Sequence, residues 1–160
     1  MGKVRTNRST SRLAAVQALY GFAMGDKTID QVVKDFLSGA IGTEVIEENE
    51  ITGQERFVPV IAAEPSLFTG IMAYYADNAE SVNQIVNSSF TEEWPAERVE
   101  PTLKAILQAG VSELNAFPKT PSPIIVNEYV DIARSFYDGS EVRVVNGILD
   151  RLSKILRDEE

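Results

Sequence analysis

Arg8 and Arg12 stand four residues apart in a stretch, residues 1–19, that also holds Lys3 and Arg5 and contains no acidic residue. On a helix this spacing places two guanidinium groups one turn apart on one face, where both can reach phosphates of a single strand. Lys104 and Gln108 repeat the one-turn spacing further on. Glu128 and Asp131, three apart, are the nearest approach to a carboxylate pair. The chain has no histidine and no cysteine, so the pair lacks the partner that would make it an acid–base or nucleophilic site. A solvated helix face is the better reading of it. The same absences exclude a disulfide framework, a thiolate zinc site and a cysteine nucleophile. Binding is the expected task, with no catalytic residue, no cofactor and no metal.

A net charge of −9 argues against indiscriminate association with nucleic acid. The charge is unevenly spread. Residues 1–8 read as a basic arm, in which Arg5 and Lys3 add attraction for an anionic partner. Residues 38–64 read as an acidic loop carrying Glu44, Glu47, Glu48, Glu50 and Glu55, with a weak hairpin turning at Thr52-Gly53. No apolar run approaches the roughly 18 to 20 residues of a membrane span. No apolar segment follows the basic start, so a secretory signal is not expected. These features suit a single cytoplasmic domain of residues 1–160.

The elements that must position the cations are helical. Leu13, Val16, Tyr20 and Met24 predict a first helix with one inward face, capped by Ser9 or Ser11 and broken at Gly25-Asp26. Val32, Val33 and Phe36 predict a short second helix. Pro65 opens a third, with Leu67, Ile71, Tyr74, Asn78, Val82 and Ile85 at helical spacing. The fourth spans 101–116, with Leu103, Ile106, Leu107, Gly110, Val111 and Leu114 inward. Ser122-Pro123 opens the fifth, which buries Val126, Tyr129, Val130, Ala133 and Phe136. Gly139 ends it, and Ser140 caps a sixth that uses Val145, Ile148, Leu149, Leu152 and Leu156. The expected fold is all-α, a bundle of about six helices.

Four segments in order carry a resemblance. They are R-S-T-S-R-L-A-A-V-Q-A-L-Y at 8–20, L-K-A-I-L-Q-A-G-V-S-E-L at 103–114, V-N-E-Y-V-D-I-A-R-S-F at 126–136 and V-N-G-I-L-D at 145–150. Together they resemble the NusB family of bacterial transcription antitermination factors, over residues 8–37 and 65–157. The resemblance implies two packed helical subdomains and no catalysis. It implies binding to the box A element of ribosomal RNA transcripts together with the ribosomal protein NusE, in an antitermination complex on RNA polymerase. The fold also admits a homodimer that buries the RNA surface.

By that resemblance Arg8 and Arg12 match the family's arginine-rich N-terminus, and Lys104 and Arg143 match basic positions. Gln108 falls where the family usually has arginine; it can hydrogen-bond to RNA but cannot neutralise a phosphate. Val144 replaces an aromatic residue, which removes a stacking surface. Tyr20, and the exposed side of the fourth helix near Leu103, are expected to face NusE. Glu113, Asn127, Glu128 and Asn146 are read as structural, forming caps or interhelical hydrogen bonds. Two other functions fit the same segments: a protein-interaction adaptor with weak or lost RNA binding, and the detached accessory domain of an rRNA cytosine methyltransferase.

Overall fold

The computed structural model describes residues 7–38 and 65–157, and the backbone of two short strands between them. The order is α1 (Asn7–Met24), α2 (Ile29–Ser38), β1 (Glu44–Glu48), β2 (Glu55–Pro59), α3 (Pro65–Ser88), a single 3-10 turn (Ala96–Arg98), α4 (Pro101–Ala116), α5 (Ser122–Phe136) and α6 (Gly139–Arg157). The all-helical expectation is borne out. The strands pair antiparallel, Glu44 opposite Pro59 and Glu48 opposite Glu55, so the expected hairpin is present. Its turn, with Thr52 and Gly53, lies outside the described residues.

Local chemistry sets the helix starts. At α2 the Thr28 hydroxyl accepts from Gln31 N–H at 3.2 Å, while Thr28 N–H donates to the Gln31 side chain at 2.9 Å. This reciprocal box satisfies two otherwise orphaned donors. Proline stands in the first turn of α4 and of α5, where its missing N–H costs nothing. Three expected caps lie inside their helices instead: Ser9 and Ser11 in α1, which begins at Asn7; Ser122, buried in α5, which Pro121 caps; and Ser140 in α6. In α3, Asn78 has non-helical angles (φ −131, ψ 26) and its amide donates to the Tyr74 carbonyl at 3.0 Å. A side-chain donor on the i−4 carbonyl is a recognised cause of a kink.

α4 is the central element, packed against α1, α3, α5 and α6. All six residues expected to face inward are buried, and so are Ala105, Ala109, Ser112 and Glu113. Gly110 lets α6 approach: a Cβ there would meet Leu149 Cδ2 at 3.0 Å and Tyr129 at 3.6 Å. At its end, Arg157 of α6 gathers carbonyls of the last turn of α4 and of the loop that follows it. Nη2 donates to Leu114 O and Phe117 O, both at 2.9 Å, and Nη1 donates to Thr120 O. A guanidinium at a helix C-terminus also opposes the negative end of the helix dipole.

Several expected faces move. Residues 11–16 of α1 are all buried, whereas Tyr20 and Met24 are exposed. The expected inward face of α1 is therefore corrected: Ala14, Ala15 and Ala18 let neighbours close around its first half, and in its second half Phe22 packs on Tyr75 while Tyr20 and Met24 face outward. Phe136 is likewise 47% exposed at the end of α5. In α3 the buried set is Leu67, Phe68, Ile71, Met72, Tyr75, Val82 and Val86, one residue round from the expected face at several turns. Phe68 stacks on Phe36 of α2 at 5.5 Å.

Ile148 is 5% exposed and belongs to the hydrophobic core. Ile148→Ala should cost about 2 to 5 kcal/mol in chemical denaturation, through lost burial and the cavity left behind. A change below about 0.5 kcal/mol would place Ile148 outside the core.

Candidate nucleic-acid interface

Arg12 does not lie on the surface. It is 1% exposed and its guanidinium is held inside the protein. Nε donates to Glu113 Oε1 at 2.8 Å, Nη2 to Glu113 Oε2 at 2.7 Å, and Nη1 to Glu128 Oε1 at 2.8 Å. The Glu113 contact is a two-pronged ion pair, the geometry in which guanidinium and carboxylate bind most strongly. Tyr129 O–H donates to Glu113 Oε1 at 2.8 Å, and Ser9 O–H donates to Glu128 Oε1 at 2.8 Å. One network thus joins α1, α4 and α5.

Its electrostatics are those of a buried, compensated charge. Burial by itself would lower the Arg12 pKa, but the Glu113 hydrogen bonds and charge, with Tyr129 and Glu128, outweigh it and hold the group above its ordinary value. Burial first, and then the adjacent Glu113 carboxylate, pushes the Tyr129 hydroxyl well above the usual tyrosine range. Tyr129 therefore remains a donor at any physiological pH. Arg12 as an RNA contact is corrected: its donors are committed to protein carboxylates, and phosphate cannot reach them without opening the core.

The other expected cations divide into two groups. Arg8 is exposed at the start of α1, one turn before Arg12. Lys104 is half-buried and Arg143 exposed. Both precede the Gly110–Leu149 contact by six residues, so they stand level where α4 and α6 begin. Lys104 lies nine residues before Glu113, about 13 Å along α4 at the helical rise. The cations therefore do not form a single cluster. Arg5 and Lys3 lie outside the described residues.

Gln108 is corrected as an RNA contact. Its amide donates to Asn83 Oδ1 of α3 at 2.9 Å, and Asn83 in turn donates to the Tyr75 hydroxyl at 3.0 Å. Leu103 is corrected as a partner contact, being 2% exposed beneath the helices that surround α4. Tyr20 is 40% exposed and so available to a partner. Val144 packs against the core.

Glu113 and Glu128 are structural, as expected, whereas Asn127 and Asn146 are exposed. Glu128 is not part of a solvated face with Asp131, which instead pairs with Arg134 at 2.7 Å. Sequence reasoning missed Ser9 and Tyr129 as members of the network. The available signal was Glu113, the one charged residue in 105–114; an ionisable group on an apolar face implies a buried partner.

At the α5–α6 junction Tyr137 donates to Glu100 Oε2 at 2.9 Å. Burial and that hydrogen bond push its pKa up to about 12. The contact ties the junction to the start of α4, beneath Arg143. A side chain on Gly139 would meet Arg143 Nη1 at 3.1 Å, so the guanidinium lies over the first turn of α6.

A family model described as the NusB family matches residues 9–154. The transcription antitermination protein NusB of Brucella ovis is 36% identical over 157 residues, which cover 98% of this chain and 86% of that protein. Its counterpart in Rhodospirillum rubrum is 39% identical over 159 residues, covering 94% of this chain and 85% of the relative. Among solved structures, T. maritima NusB superposes with a TM-score of 0.68 at 20% identity, covering 94% of this chain and 93% of that one. A structure of the antitermination factors NusB and NusE in complex with dsRNA gives 0.68 at 15% identity, with 93% and 97% covered. At these identities the two structures establish a shared fold.

Removing one partner of a buried ion pair strands the other charge. Glu113→Ala should therefore cost about 3 to 5 kcal/mol in equilibrium unfolding. Replacing both members, Arg12→Met with Glu113→Leu, should cost far less. A single variant as stable as the parent would mean that the guanidinium reaches water.

Proposed function

This chain belongs to the NusB family, and from that premise we propose that it is a transcription antitermination factor that binds box A RNA together with NusE. The observation that carries this reading is the placement of Arg8, Lys104 and Arg143. They are basic residues outside the core of an otherwise acidic protein, Arg8 at the start of α1 and Lys104 and Arg143 near the starts of α4 and α6. The similarity to the solved complex of NusB and NusE with dsRNA supports the same two partners. The chain acts by binding rather than catalysis, in the cytoplasm, as part of a complex on RNA polymerase.

The net charge of −9 opposes RNA and favours a cationic protein. A basic partner such as NusE would be drawn to the acidic surface, which mainly speeds encounter and sets orientation. We place its docking surface at the exposed last turn of α1, with Tyr20 and Met24, in place of the buried Leu103. The paired chains would then offer RNA a longer basic path than either offers alone. A pure adaptor is the second reading. It is favoured by the inward-turned Gln108 and by Val144, neither of which offers RNA a charge or an aromatic face.

Three phosphate contacts give a log–log salt slope near −2 for single-stranded RNA, at about −0.7 per contact. Arg8→Ala with Arg143→Ala should bring the slope to about −0.7 and weaken binding of a box A oligonucleotide in a filter or fluorescence titration. Adding NusE should tighten binding by more than about tenfold, or 1.4 kcal/mol. Unchanged affinity and slope in the double variant, with NusE still bound, would favour the adaptor.

A further inference from the structure

Glu128 uses one carboxylate oxygen twice. Oε1 accepts from Ser9 O–H and from Arg12 Nη1, both at 2.8 Å. Ser9 follows Arg8 directly, and Arg12 lies one turn beyond Arg8. Contacts from two successive turns to one fixed atom of α5 determine both where α1 begins and how its first turn is rotated. That turn needs such support, because the first N–H groups of a helix have no intrahelical acceptors and helix ends open most easily.

Charge compensation does not explain the contact. Glu113 already meets Arg12 with both oxygens at 0% side-chain exposure, whereas the Glu128 side chain is 23% exposed. What Glu128 adds is an acceptor for Arg12 Nη1 that is shared with Ser9, and so a tie between the two. We infer that Glu128 is a positioning residue for RNA binding, holding the first turn of α1 so that Arg8 presents its guanidinium to the phosphate backbone. This rests on the RNA reading of Arg8 given above. Simple electrostatics makes the opposite forecast: a carboxylate beside a phosphate site repels RNA, so its removal should tighten binding if it positioned nothing.

The test uses the full chain with Glu128→Ala and Glu128→Gln. Glu113 still pairs with Arg12 in both, and Ala and Gln are good helix formers. Without RNA, amide hydrogen exchange is read at residues 11–13, whose N–H groups bond to the carbonyls of residues 7–9. Exchange should quicken at least about tenfold in Glu128→Ala. It should stay near the parent rate in Glu128→Gln, whose amide oxygen still accepts from Ser9 and Arg12. With a single-stranded box A oligonucleotide at low salt, Arg8→Ala is then compared across backgrounds. It should weaken binding at least about fivefold in the parent and in Glu128→Gln, but less than about twofold in Glu128→Ala.

An equal Arg8→Ala effect in the parent and in Glu128→Ala overturns the positioning role and leaves the RNA reading standing. So does tighter binding by Glu128→Ala with the Arg8 effect intact. An Arg8→Ala variant that binds like the parent defeats the RNA reading of Arg8 itself, and the positioning role with it.

Discussion

A guanidinium cannot stay charged inside a helical core unless its donors meet oxygen, and Arg12 meets this requirement by drawing three helices together. Glu113 on α4 supplies the matched carboxylate, Glu128 on α5 supplies a third acceptor, and Tyr129 closes the Glu113 side. Such a network is demanding because partial satisfaction is worse than an apolar core. Each helix must hold its place along its axis and its rotation for the others to be satisfied. The contact therefore fixes the register of α1 against α4 and α5, which undirected apolar packing specifies less strictly.

The remaining features of α4 follow from its central place. Buried nearly all round, it presents Gly110 where α6 approaches and lets Arg157 collect the carbonyls at its end. At its start, Glu100 receives the Tyr137 hydroxyl and fixes the α5–α6 junction. The candidate RNA contacts thus rest on rigid elements. Arg8 leaves from the Arg12 network, while Lys104 and Arg143 stand over the Tyr137–Glu100 contact. A flexible anionic strand meeting charges spaced along helices finds them already in place, which lowers the ordering cost of binding.

Helix type and order were legible because α3, α5 and α6 each keep one wet side and α4, though mostly buried, keeps a half-buried polar stripe at Lys104, Gln108 and Asn115, so their apolar spacing reads directly. In α1 that logic failed. Over residues 11–16 the helix is enclosed on all sides, and a periodic pattern cannot report a face that does not exist. Spacing also placed Arg8 and Arg12 a turn apart without revealing that Arg12 is drawn into the core by Glu113 and Glu128. Partners more than a hundred positions away, such as Glu113 for Arg12, belong to tertiary structure. Gln108 shows the same limit, since nothing in its neighbourhood points to Asn83. Phe136 and Tyr20 differ in kind: both end exposed near the ends of their helices, and beside Tyr20 the inward place is taken by Phe22, which packs on Tyr75.

Arg12 organises the core while the proposed RNA contacts are other cations, and this division of labour can be measured directly. Arginine side-chain Nε–Hε resonances are followed by NMR during titration with a box A oligonucleotide. Arg12 Hε should exchange slowly with water and keep its frequency as RNA is added, while the Arg8 and Arg143 signals shift. A rapidly exchanging Arg12 Hε whose frequency moves with RNA would contradict the division and return Arg12 to the binding surface.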